Sequence, residues 1–197
     1  MGTYFPGTIA NLNMLASTYN LSGNPNSALE HGRKAKNIAF RLYGENHMET
    51  ATTVDNLGGF FLKLGQADSA CHYFIKGLNI RHKLFPERNN VHVMISTNNL
   101  LSLFVKTQQP DSVRKYLAEA LKVGKSPKVQ PRQRAVTYWQ AGEFFVTMAK
   151  PDSARHYYQK ALSENRSYLP ESDERVISVV NKLKELDNKS AVTTNHP

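Results

Sequence analysis

Apolar residues return every three or four positions along most of this chain, the spacing that lays them on one face of an α-helix. The first such segment begins near Thr8 and sets Leu12, Leu15, Ala16 and Tyr19 side by side. It breaks at Ser22-Gly23-Asn24-Pro25, where Gly suits a left-handed residue past a helix end and Pro cannot continue the helix. A second segment, Ser27 to about Tyr43, points Ala28, Ala35, Ile38 and Leu42 inward and stops at the polar turn Gly44-Glu45-Asn46-His47. The pair then recurs as Ala51 to Leu64 with Ser69 to Phe85, as Val93 to Lys106 with a helix reaching about Lys125, and as Arg134 to Met148 with a helix reaching Leu169. One more amphipathic segment, carrying Val176, Val179, Val180, Leu183 and Leu186, follows a cap at Ser172 or Asp173 and has no second helix.

The breaks share a phrase. Pro25-Asn26-Ser27-Ala28, Ala67-Asp68-Ser69-Ala70, Pro110-Asp111-Ser112-Val113 and Pro151-Asp152-Ser153-Ala154 close at 28, 70, 113 and 154, in steps of 42, 43 and 41. A small residue follows seven positions later (Ala35, Gly77, Ala120, Ala161), and an aromatic stands nine positions earlier (Tyr19, Phe61, Phe104, Phe145). A fixed period of this length means stacked two-helix units, because one such unit cannot bury its own apolar face. Asn26, Asp68, Asp111 and Asp152 are expected as N-caps of the second helices, each worth about 1 kcal/mol. The expected organisation is a leader at 1–7, repeats at 8–50, 51–92, 93–134 and 135–172, a capping helix at 173–187 and a disordered tail at 188–197.

Charge and cysteine content narrow the classes. The net charge of +9 on 197 residues favours acidic partners or nucleic acid without choosing between them. The single cysteine, Cys71, excludes an internal disulfide framework and a cysteine-built zinc site, and is expected as a packed or half-packed thiol. Met1 to Gly7 lacks a basic region followed by an apolar run, and no apolar stretch approaches a membrane span, so a cytoplasmic protein without membrane insertion is expected. The irregular segment from Lys122 to Arg134 carries Lys122, Lys125, Lys128, Arg132 and Arg134 and no acid, either as a solvated loop or as a patch for an acidic partner.

Two helices per unit, with the small and aromatic positions above, resemble the tetratricopeptide repeat over residues 8 to 170. Helices longer by about a turn, and Gly44-Glu45-Asn46-His47 before Ala51, resemble the longer form found in kinesin light chains and many bacterial signalling proteins. The Asp-Ser-Ala phrase looks like bacterial versions that stand before sensor kinases or transcription regulators. The resemblance implies an all-α, right-handed superhelical solenoid of helix-turn-helix repeats with a C-terminal capping helix. It also implies a scaffold that binds a peptide or protein segment in a concave groove lined by the first helices.

Register relative to Leu15, Leu57, Leu100 and Ala141 then nominates groove residues. Two before them stand Asn13, Asp55, Asn98 and Trp139, and one before stand Met14, Asn56, Asn99 and Gln140. Two after come Ser17, Gly59, Ser102 and Glu143, and six after come Leu21, Lys63, Lys106 and Thr147. Amides hold an extended peptide backbone by donating and accepting together, and the lysines select acidic side chains. By resemblance to kinesin light chains, Asn56 and Asn99 inherit cargo-peptide contacts. Trp139 is a candidate either for the core or for a groove anchor. The chaperone-tail form of the repeat pairs Lys with Asn and Lys with Arg four apart. Asn13/Ser17 and Ile95/Asn99 stand at those places here, so no carboxylate clamp is expected.

An enzyme is not expected: there is no phosphate-binding glycine loop and no G-x-S-x-G. His72 and His156 form no His-x-x-x-His pair, so no metal or other cofactor is expected either. Tyr73, Phe74, Tyr116 and Tyr157-Tyr158 are read as packing residues. A nucleic-acid-associated basic repeat is the alternative class, against which the aromatics stand at packing positions and the lysines are scattered. Self-association through the N-terminal repeat is a further alternative.

Overall fold

The protein is described here from a computed structural model, whose backbone is described for residues 6–194 and side chains for 7–188; the rest of the expected leader and tail lies outside the described residues. Among the described residues are nine α-helices and no strand: α1 (Pro6–Leu21), α2 (Pro25–Tyr43), α3 (Met48–Lys63), α4 (Ala67–Leu84), α5 (Val91–Lys106), α6 (Pro110–Val123), α7 (Pro131–Thr147), α8 (Pro151–Arg166) and α9 (Glu174–Thr194). The helices form an all-α repeat solenoid of four helix pairs and a final single helix. Among the described residues, one compact unit holds those through Arg88 together with Ile95–Leu103, and the other holds Asn89–Met94 and those from Phe104 on. In the first unit α1 packs on α2, α2 on α3 and α3 on α4; in the second α7 packs on α6 and α8, and α8 on α9. Helix α9 runs seven residues beyond the expected end at Asp187.

The turn inside each pair is one motif built four times. Backbone N–H groups of Asn24, Gln66, Gln109 and Lys150 donate to the carbonyls of Tyr19, Phe61, Phe104 and Phe145 at 2.8, 2.9, 3.0 and 2.9 Å. This six-to-one bond is the Schellman closure of a helix end, and it needs a left-handed residue just before the donor. Gly23 and Gly65 fill that place at φ 80° and 74°, whereas Gln108 and Ala149 fill it at φ 54° and 52°.

The motif also overturns the expected caps. The second helices start at Pro25, Ala67, Pro110 and Pro151, so Asn26, Asp68, Asp111 and Asp152 sit inside the first turn and not at the cap. The cap residues are Asn24, Gln66, Gln109 and Lys150, and of these four Asn24 alone bonds through its side chain, accepting from the Ser27 N–H at 3.3 Å. Proline at the first helical position removes an N–H that would otherwise lack a partner, and its fixed φ suits the helix. The acids still face the positive end of the helix dipole. Asp173, one of the two caps considered for the last helix, does bond the Arg175 N–H at 2.9 Å. Its carboxyl is drawn from the ordinary 3.8 to about 2, first by the Arg175 side chain and then by that backbone bond.

Rings close each pair from the other side. Tyr19 lies on His31, Phe61 on Tyr73, Phe104 on Tyr116 and Phe145 on Tyr157, with centroids 5.4, 5.2, 5.4 and 5.4 Å apart and planes within 14°. Each such stack adds roughly 0.5–1.5 kcal/mol beyond the area it buries. Next to the stacks, Gly58 and Gly142 admit Phe74 and Tyr158: a Cβ would come within 2.5 and 2.4 Å of those rings.

Two apolar positions depart from expectation. Leu57, Leu100 and Ala141 are fully buried, but Leu15 at the same register is 40% exposed. Leu57 packs against Gly32 of the preceding pair, and α1 has no preceding pair among the described residues. Leu42 is 43% exposed, its place taken by Ile38, Ala39 and Tyr43, which pack with Ile9 and Leu12.

The first unit carries a buried ion pair. Arg81 on α4 donates to Asp55 Oδ2 on α3 at 2.6 Å and to Ser96 Oγ on α5 at 2.6 Å, while Ser96 donates to the same carboxylate at 2.7 Å. Both charged side chains are almost wholly enclosed. The other carboxylate oxygen lies where a Cβ on Gly77 would stand, 1.8 Å away. Glycine therefore occupies this one of the four small-residue positions, and the others keep alanine. Burial pushes the Asp55 carboxyl up, against the pull of the Arg81 guanidinium and the Ser96 hydroxyl.

Asp55→Ala, which leaves Arg81 buried without its carboxylate, should cost about 3–5 kcal/mol, and Gly77→Ala about 2 kcal/mol or more, in urea unfolding followed by circular dichroism. Gln108→Gly and Ala149→Gly should each stabilise by about 0.5 kcal/mol, the relief of left-handed strain exceeding the added chain entropy; a lower Tm for either would contradict the turn assignment. Because the Asp173 pKa is depressed on folding, its support of α9 is complete above pH 3.8 and is lost as pH falls through about 2. The Arg175 amide resonance should titrate with that low midpoint.

Candidate functional site

On α3, residues Val54, Leu57, Gly58 and Phe61 are buried, which leaves Thr52, Asn56, Gly59 and Lys63 along the uncovered strip. Asn56 is half-buried there, and its Nδ2 donates to Asn13 Oδ1 on α1 at 3.3 Å. Ser17 stands half-buried one turn along α1, and Asn99 and Ser102 are half-buried on the part of α5 that belongs to the same unit. Lys63 is exposed in the last turn of α3. Asn13, Ser17, Asn56, Asn99, Ser102 and Lys63 are therefore all at least partly open on first helices of one unit, and Asn13 and Asn56 are joined directly.

Two nominated residues are not on that strip. Asp55 is 6% exposed and engaged with Arg81 and Ser96, so it supports the strip from beneath and offers nothing to a ligand. Its equivalents in register, Asn13 and Asn98, are amides and its partner lies 26 residues away, so spacing alone places it with them. Asn98, also 6% exposed, is buried as well. Arg81 and Thr52, joined by a 3.5 Å contact, went unnominated. The available signal was Gly77 standing in a series otherwise made of alanine.

In the second unit Lys106 is exposed, and Trp139, Gln140 and Glu143 are each half-buried on α5 or α7. Trp139 rests on Tyr158 with centroids 5.5 Å apart and joins the core of Ala154, Tyr158, Ala161, Val179 and Leu186. Its other side lines a cleft of about 370 Å³ with Val136, Tyr168 and Arg132. The tryptophan is thus part of the core and also lines a cleft. Glu143 accepts the Tyr158 hydroxyl and lies 3.7 Å from Lys182, so it is tied into this core. Burial, then the Glu143 carboxylate, pushes the Tyr158 hydroxyl far above the ordinary tyrosine range.

The basic loop is less basic than it reads. Arg134 is bound bidentately by Glu164 at 2.7 and 2.9 Å and donates to the Val129 carbonyl, while Ser126 bonds the Asn89 carbonyl. Lys122, Lys125, Lys128 and Arg132 remain exposed. Burial and Asp68 push the Cys71 thiol up, which disfavours the reactive thiolate. His72 and His156 meet Tyr73 and Tyr157 edge-on at equivalent places. Among the described residues no three His, Cys, Asp or Glu side chains gather as a metal site, and no helix is long and apolar enough to cross a membrane.

Comparison with known proteins agrees with this architecture. Tetratricopeptide repeat profiles match residues 8–48 and 135–168. A search of curated proteins gives no match. Among solved structures, the kinesin-light-chain-like TPR repeats of a Podosopora anserina protein superpose with a TM-score of 0.77 at 12% identity, covering 96% of this chain and 90% of that one. A second structure of those repeats gives 0.75 at 12% identity, with the same coverage. BtubC (BKLC) from P. vanneervenii gives 0.70 at 19% identity, over 84% of this chain and 67% of that one. Identities this low establish likeness of fold. Repeat profiles at both ends and the four-fold recurrence of turn and ring stack agree: the chain is a tetratricopeptide repeat protein, similar in fold to kinesin-light-chain-like repeat proteins.

Proposed function

We propose that the first unit binds an extended peptide or protein segment along the strip formed by α1, α3 and α5, as tetratricopeptide repeat proteins generally bind proteins. The carrying observation is the Asn56–Asn13 amide contact at 3.3 Å. A side-chain amide has two N–H donors and an oxygen with two acceptor sites. The contact uses one donor of Asn56 and one acceptor site of Asn13, and the two amides have further donors and acceptors beyond it. Asn99 continues the row, and Ser17 and Ser102 add hydroxyls that both donate and accept. Such groups fit a peptide backbone, which offers an N–H and a carbonyl at every residue.

Lys63 at one end favours a carboxylate on the ligand. Asp55 would oppose an acidic ligand if it faced the strip; its burial against Arg81 removes that charge from the surface and holds α3, α4 and α5 of the unit in register. In the second unit, the cleft beside Trp139 suits one large apolar side chain of a ligand. The phrase shared with bacterial regulators supports placing the binding in signalling or regulation.

A peptide selected from a random library against the intact chain provides the probe. Asn56→Ala with Asn99→Ala should weaken its binding at least about tenfold by isothermal titration calorimetry, a loss of about 1.4 kcal/mol, with the helical circular dichroism unchanged. Undiminished affinity in this double variant would refute the strip as the binding surface.

A further inference from the structure

A second cleft lies in the first unit, away from the amide row. It has a volume of about 430 Å³ and is lined by Lys36, Phe40 and Arg41 of α2, Thr50 and Val54 of α3, and Lys76 of α4. Val54 precedes Asn56 by two positions, a rotation of about 200° around α3, so the cleft opens on the opposite side of that helix from the row. Its size falls in the range of pockets that take a ligand group, roughly 300–1,000 Å³.

Its chemistry is one-sided. Three cations line it and no carboxylate does. Lys36 and Arg41 form no ion pair among the described residues. Lys76 meets Glu45 at 3.1 Å, but that pair is 41% and 49% exposed, and a solvated surface pair of this kind holds its partners only weakly. A competing carboxylate can displace it. Between the cations Phe40 leaves 52% of its surface open to water, one turn from Lys36 on the same face of α2. Below it Val54 is fully buried, and the Thr50 hydroxyl already donates to the Gly44 carbonyl at 2.7 Å. The floor is therefore apolar and the rim cationic, and an exposed aromatic stands at their boundary.

We propose that this cleft is a second docking site, which takes an acidic protein segment presenting one aromatic or branched aliphatic side chain between carboxylates. The apolar side chain covers Phe40 and Val54, and the flanking carboxylates meet Lys36, Arg41 and Lys76. Charge complementarity selects the occupant: a neutral apolar segment would leave three cations facing its backbone without partners. A nucleic acid would meet three cations on two helices but would have no use for the apolar floor.

The test uses the intact chain and a fluorescein-labelled peptide, Glu-Asp-Glu-Phe-Glu-Asp-Glu, read by fluorescence anisotropy. Saturable binding is expected, weakened at least about tenfold by Lys36→Glu with Arg41→Glu and weakened similarly by Phe40→Ser, in the wild-type chain and equally in the Asn56→Ala/Asn99→Ala background, where the strip no longer contributes. The substituted side chains reach the surface, and circular dichroism confirms that each variant is folded. Absence of saturable binding up to about 1 mM would overturn the proposal, as would loss confined to the Asn56/Asn99 variant. Indifference to Phe40→Ser, with equal displacement by inorganic polyphosphate or an oligonucleotide, would reduce the cleft to a nonspecific polyanion surface and overturn it too.

Discussion

Four times along the chain a ring on a first helix lies flat against a ring, or an imidazole, on the helix that follows. The turn joining those helices is closed by a backbone bond from the carbonyl of that same first-helix residue. One residue thus governs both the contact and the turn. Its side chain sets the separation of the two helices through the stack, and its carbonyl ends the first of them. Because this unit recurs with nearly one period, each first helix presents the same strip of residues. Which positions of a first helix are left uncovered follows from the stack, whatever amino acids occupy them.

What those positions hold is decided by a second constraint inside the first unit. A carboxylate one residue from Asn56 would oppose acidic ligands if it reached the surface. It is turned inward by Arg81 and Ser96, and Gly77 leaves the room for it. The burial of two charges is a weak source of net stability, since desolvation offsets much of their attraction. Its effect lies in specificity of packing: three helices are joined at one point, and a misplaced register would leave a charge unpaired. The uncovered strip is consequently made of amides, hydroxyls and one lysine.

Much of this was legible in the sequence because it depends on local spacing. Helix pairs, their period, the left-handed places at Gly23 and Gly65 and the burial of Leu57, Leu100 and Ala141 all follow from neighbours within a turn or two. The errors share a cause as well. Asp68, Asp111 and Asp152 look like caps, but the backbone closure at the preceding turn, joined by proline at the first position before Asp111 and Asp152, starts each helix before the acid. Helix starts were placed late for the same reason: the first turns are polar and stand ahead of the apolar stripe. Asp55 joined the groove set because its partner is on another helix, and Arg134 joined the basic loop because Glu164 lies 30 residues on. Leu15 looks like Leu57 in register and differs only in what packs against it.

The protein thus carries a polar strip and, across α3 from it, a cationic cleft with an aromatic rim. The central claim is that the strip is where a peptide backbone is held. The most direct measurement is a ¹H–¹⁵N correlation spectrum of the intact chain titrated with a library-selected peptide, following the side-chain amide resonances of Asn13, Asn56 and Asn99. The account expects these three to shift together and saturate at one affinity, with the amides of α4 little changed. Saturation accompanied by shifts confined to other surfaces, with the three asparagine side chains unmoved, would contradict it.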